Sequence, residues 1–121
     1  MKHSPLLLIA AATCAALASP VSARPSAGFG HVAKVDRLRV RPLALLEDSR
    51  CPASVQCVWA GQVRIRAEIT SRTARKVREM TLGQPIAVAG GMVTLTSAEP
   101  PKLAPGNTSP RRYRFTFRFA R

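Results

Sequence analysis

From His31 onward the apolar residues fall largely at every second position, the period of a strand with one face buried. Residues 62–70 are a clear case: Val63, Ile65, Ala67 and Ile69 share one face, and Arg64, Arg66, Glu68 and Thr70 the other. The final stretch repeats the pattern with larger side chains. Tyr113, Phe115, Phe117 and Phe119 alternate with Arg112, Arg114, Thr116 and Arg118. An aromatic stripe at strand spacing predicts the centre of the core. Residues 31–47 read as one long bent strand or two short ones, with Pro42 marking an edge or a bulge. Residues 75–82 return after a turn at 71–73, with weaker alternation. Residues 85–89 and 92–97 flank Gly90-Gly91, which predicts a tight hairpin because both glycines accept positive φ. The 99–110 stretch, with four prolines, reads as a loop. No part of 31–121 sustains a 3.6-residue apolar period. The expected fold is all-β: a small antiparallel sandwich or barrel of about five to seven strands, one domain over 31–121, with 24–30 (RPSAGFG) as a flexible lead-in.

The first 23 residues break this pattern. Lys2 and His3 precede a 12-residue apolar run, 6–17, and Pro20 is followed by Val21-Ser22-Ala23, a small-residue peptidase site. This predicts a signal peptide removed after Ala23. The run is shorter than the roughly 20 residues needed to span a bilayer, so the processed chain is not expected to be transmembrane. Cys14 opens a lipoprotein alternative, weakened by the absence of Leu at −3. Export predicts a periplasmic or secreted protein. Removing 23 of 121 residues leaves 98, and losing Lys2 takes the charge from +13 to +12.

In an oxidising compartment Cys51 and Cys57 are expected to pair. They staple residues 47–61 (EDSRCPASVQCVWAG). Asp48 and Ser49 can accept backbone N–H groups and start a turn, and Pro52 stiffens the ring. Trp59 is expected to pack on the disulfide and plug one end of the core, and Gly61 to permit a bend. Three functional readings compete with this structural one. A redox site is disfavoured by C-x5-C spacing. A metal site would draw on Cys51, Cys57, His31 and Glu47 or Asp48, against the usual two-to-four-residue spacing of zinc pairs. A recognition loop would use Asp48, Arg50 and Trp59 as candidate interaction residues. The motif Asp48-Ser49-Arg50-Cys51-Pro52, then Cys57-Val58-Trp59-Ala60-Gly61, resembles one in small exported bacterial proteins, some of them lipoproteins. The resemblance spans about 32–120, including Val93-Thr94-Leu95, Glu99-Pro100-Pro101 and the aromatic last strand. It implies export and a single small domain, and brings no catalytic residues with it.

Charge adds a second candidate. Lys and Arg number 19 against 6 acids, and Arg outnumbers Lys 15 to 4. If strands 62–70 and 112–119 are neighbours, Arg64, Arg66, Arg112, Arg114 and Arg118 form one anion-binding face. The partners implied are anionic envelope components or an acidic protein. No sequence-specific nucleic-acid binding is expected, since no such motif accompanies the charge. GC-rich coding gives the same Arg, Ala and Pro bias without a ligand, and a solvated basic face discourages aggregation.

The inventory for chemistry is thin. His31 is the one histidine after residue 23, the acids at 36, 47, 48, 68, 79 and 99 are dispersed, and no nucleophile elbow or phosphate loop occurs. The reading is a monomeric binding module, not an enzyme, with no cofactor. Its ligand is envelope polyanion on the Arg face or, alternatively, a protein bound or inhibited through the Cys51–Cys57/Trp59 loop. An inhibitor this basic would need an acidic target.

Overall fold

The computed structural model describes residues 11–16 and 24–121. The signal-peptide expectation over 1–23 therefore lies, apart from 11–16, outside the described residues. No helix among the described residues is long and apolar enough to cross a membrane.

Eight strands form two antiparallel sheets: β1 (Ser26–Ala27), β2 (Ala33–Val35), β3 (Leu38–Asp48), β4 (Val63–Thr70), β5 (Arg75–Thr81), β6 (Ile86–Val88), β7 (Gly91–Glu99) and β8 (Arg114–Ala120). One sheet runs β1-β8-β7-β6 and the other β2-β3-β4-β5. They pack face to face as a sandwich. The inward positions of β4, Val63, Ile65, Ala67 and Ile69, are all buried, as the alternation requires. Phe115 and Phe117 of β8 fill the centre from the other sheet, with Tyr113 buried just before it. Phe29 meets Tyr113 and Phe115 edge-on, at centroid distances of 5.8 and 5.0 Å, a favoured aromatic geometry.

The strand count exceeds the expected five to seven because short pieces also pair. Part of the lead-in is strand: Ser26 and Ala27 pair with Thr116 and Phe115, and Ala27 is buried. Residues 31–47 divide into β2 and β3 at Asp36-Arg37, where Asp36 takes a φ of 57°. Pro42 sits inside β3 beside a register shift, the bulge it needs in an inner strand. β5 alternates poorly for a physical reason. It is an outer strand, so only Met80 is buried, while Lys76 and Arg78 point along the open side of the sandwich. Inward-leaning charge on an outer strand blocks pairing with another chain.

The tight hairpin is confirmed, one residue out of place. Val88 pairs with Gly91, so the two turn residues are Ala89 and Gly90, with φ of 50° and 78°. Both positive angles mark a type I′ turn. Gly91 is instead a strand residue whose added Cβ would press on the Phe119 ring and the Ala120 carbonyl. Ala89 pays for its left-handed backbone, so Ala89→Gly is expected to raise stability by about 1 kcal/mol. A denaturation midpoint that stays still or falls would contradict the assigned turn.

Candidate functional site

The β3–β4 connection and the β7–β8 connection meet at one end of the sandwich. The first continues the hairpin beyond its strands: Ser49 N–H donates to the Gln62 carbonyl (2.9 Å) and Cys51 N–H to the Ala60 carbonyl (3.3 Å). Ser49 Oγ accepts the Gln62 N–H at 3.0 Å, a bond across the hairpin instead of the local turn start expected of it. Gly61 has a φ of 69°, and a Cβ there would overlap the Ser49 carbonyl, so the bend accepts only glycine. Cys51 and Cys57 form the expected disulfide. Ala53 and Ser54 N–H groups donate to the Lys102 and Leu103 carbonyls at 2.9 and 3.1 Å, which ties the tip to the neighbouring loop.

Beneath the tip lies a polar clasp. Arg50 forks onto Asp48, Nε to Oδ1 at 2.8 Å and Nη2 to Oδ2 at 2.9 Å. Its remaining donors reach the Ala98 carbonyl (2.9 Å) and the Pro100 carbonyl (3.1 Å), either side of the cis Glu99–Pro100 peptide. Tyr113 Oη donates to Asp48 Oδ2 at 2.6 Å, and Lys102 Nζ to the Asp48 carbonyl at 3.1 Å. The Asp48 side chain is 6% exposed and that of Arg50 17%. The Arg50 fork holds the Asp48 carboxyl down at about 2; the Tyr113 hydroxyl helps and burial opposes. The Tyr113 phenol is pushed up, first by burial and then by that carboxylate.

These contacts redistribute the candidate residues. Asp48 and Arg50 spend their polar groups inside the molecule, so they hold the loop and are not free for a partner. Asp48 does not start a turn. It is the last residue of β3, and Glu47 beside it bonds to Ser49 and Gln62. Trp59 does not plug the core. It is 82% exposed and Val58 89%, because Phe29, Tyr113 and the clasp already close that end. Leu103, 65% exposed, stands on the adjoining loop, and Val55 is exposed on the tip itself. The tip is thus an apolar projection on a fixed base.

The proposed Arg face does not exist as one surface. Arg64 and Arg66 are on the outer face of β4, whereas Arg114 and Arg118 are on that of β8, in the other sheet. The two sets point to opposite sides of the sandwich. Arg112 is not in a strand but in the 3-10 turn Pro110–Arg112. Arg64 is also engaged with Glu79 at 3.2 Å and Glu47 at 3.7 Å. The outer face that carries Arg64 and Arg66 carries further cations, with Glu68 among them, opposite Arg41 and 3.9 Å from Arg75. Lys34 and Arg39 are direct cross-strand partners, and Arg39 pairs with Thr70, which pairs with Arg75. Arg41 lies two residues from Arg39 on the same face. His31, one of the imagined metal donors, is exposed, and both thiols are spent in the disulfide.

Sequence reasoning missed the clasp role of Tyr113, whose place in the aromatic stripe hid its hydroxyl. It also missed Lys34, Arg39 and Arg41, although the Arg37-Leu38-Arg39-Val40-Arg41 alternation already placed cations opposite the core. Comparison with protein-family models, with curated proteins and with solved structures returns no match.

Proposed function

We propose that this chain is an exported, non-catalytic binding module whose recognition element is the β3–β4 tip, with Val58 and Trp59 as its contacts. The observation that carries the reading is the exposure of both side chains on a loop that a disulfide and a partly buried ion pair hold in place. An exposed Trp on a pre-ordered support offers large contact area at little entropic cost. The partner this fits is a protein with an apolar pocket and an acidic rim. Residues 51–62 carry no charged side chain, while Arg111 and Arg112 belong to the adjoining connection. Inhibition of an acidic envelope protein is one form such binding would take. The disulfide is consistent with the export segment and its resemblance to small exported bacterial proteins.

The test is capture from an envelope extract by the immobilised protein, in salt that screens surface charge. Retention of a partner is expected to survive the salt and to fall roughly 30-fold in affinity on Trp59→Ala, at unchanged melting temperature. Equal capture by wild type and Trp59→Ala would remove the tip from the account.

A second reading rests on the Lys34–Arg39 pair. Like charges directly opposite in a sheet cost stability and do nothing for the fold. A polyanion laid across Lys34, Arg39 and Arg41 would offset that cost; Arg75 beside them is engaged with Glu68 at 3.9 Å. Heparin retention is then expected to weaken steeply with salt, and Lys34→Gln/Arg39→Gln to flatten the log–log slope by about 2. An unchanged slope would dismiss this face.

A further inference from the structure

The sandwich is open along one side. β5 and β6 are the outer strands there, β6 is only three residues long, and among the described residues one long hydrogen bond joins the two, Arg78 Nη1 to the Ala87 carbonyl at 3.4 Å. A crevice of about 260 Å³ runs between them, with Ile69 at its floor and Lys76 and Arg78 on its wall. It shares Ser71, Thr73 and Ala89 with a second cleft of about 440 Å³ that continues around the end of the molecule. There Leu38 and Phe119 form the floor, and Arg37, Arg72 and Arg121 the rim.

Three connections build this end: the β2–β3 turn brings Arg37, the β4–β5 turn brings Arg72, and the β6–β7 turn closes the cleft with Ala89 and Gly90. Every ionisable side chain lining the two clefts is a cation. None of them is in an ion pair among the described residues. The other clefts differ: one includes Asp48 and another Glu68. Unpaired Arg and Lys around an apolar floor are complementary to a molecule with an anionic head and an apolar body. The number of cations favours a dianionic head over a single carboxylate, and the guanidinium fork matches phosphate oxygens.

We propose that this continuous cleft binds a phosphorylated amphiphile, its phosphate between Arg37 and Arg72 and its apolar part against Leu38, Phe119 and Ile69. The site lies at the opposite end from the Trp59 tip and stands independently of that reading. Two sources share this chemistry, a phosphomonoester lipid and free inorganic phosphate, and the probes separate them. A short-chain phosphatidic acid below its micelle concentration is titrated into the full domain by calorimetry, beside inorganic phosphate and a phosphatidylcholine of the same chain length. Phosphatidic acid is expected to bind at least about tenfold more tightly than either comparator. Arg37→Gln/Arg72→Gln is expected to reduce its affinity at least about tenfold at unchanged melting temperature, since both side chains are exposed on turns. Trp59→Ala should bind like wild type, so failure of the tip reading leaves this result intact. Inorganic phosphate binding as tightly as phosphatidic acid would overturn the proposal, as would an Arg37→Gln/Arg72→Gln variant that binds like wild type. Amide shift changes confined to residues 36–39, 69–78, 87–90 and 119–121 would support the location; changes centred on the β3–β4 tip would refute it.

Discussion

Arg50→Ala is expected to cost about 3 kcal/mol of folding stability, although the residue lies in a loop next to an exposed tip. The substitution leaves Asp48, whose side chain is 6% exposed in the intact clasp, without the fork that compensated its burial. It also strips the Ala98 and Pro100 carbonyls of their guanidinium donors, so the start of the β7–β8 connection loosens with it. The loss should be visible as a lowered urea midpoint at neutral pH. Asp48→Ala/Arg50→Ala should lose less than the two single losses added together, because the second deletion removes a group the first had already orphaned. Strict additivity would mean that the two side chains act independently and that the pair carries no coupling energy.

The same clasp sets an acid dependence. The folded carboxyl of Asp48 lies at about 2, below its ordinary 3.8. Its contribution is therefore complete above 3.8 and is lost as pH falls through about 2. The shift corresponds to roughly 2 kcal/mol at neutral pH. Wild type should lose that much between pH 4 and 2 through this group, and Arg50→Ala should lose much less over the same interval.

Replacing both Cys51 and Cys57 with Ser is the second large change. A seven-residue ring removes about 2.4 kcal/mol of unfolded-state entropy on the loop-closure account, so the stability loss should not exceed that. The folded core should survive, because the clasp and the Ala53 and Ser54 bonds to the neighbouring loop remain. Partner affinity should fall further than stability, since the tip must then be ordered at the moment of binding. Unchanged capture by the doubly substituted variant would show that the ring does not pre-order the contact residues.

The fold was legible because period-two burial is a local signal. Val63 to Ile69 and Phe115 to Phe117 declared their inner faces, and two cysteines downstream of an export segment pointed to the disulfide. What the alternation could not carry is which strands become neighbours. β4 and β8 each present arginines outward, yet they sit in different sheets, so one imagined face became two opposed ones. Trp59 failed for another reason. A tryptophan beside a disulfide commonly packs on it, but here Phe29 and Tyr113 had already filled that end, and no local pattern reports a distant occupant. Arg37 and Arg72 were equally silent: each is an ordinary turn residue until the topology sets the two turns side by side around one cleft.

The central claim is that the tip is both displayed and held, and Trp59, the one tryptophan in the chain, reports on it directly. Its fluorescence in the folded protein is expected to be as red as that of free tryptophan in water and freely quenched by acrylamide. Its anisotropy should nonetheless decay at the tumbling rate of the whole domain. A blue, quencher-protected emission would place the ring inside the fold, and fast local depolarisation would make the tip a loose loop; either result would contradict a rigid recognition element.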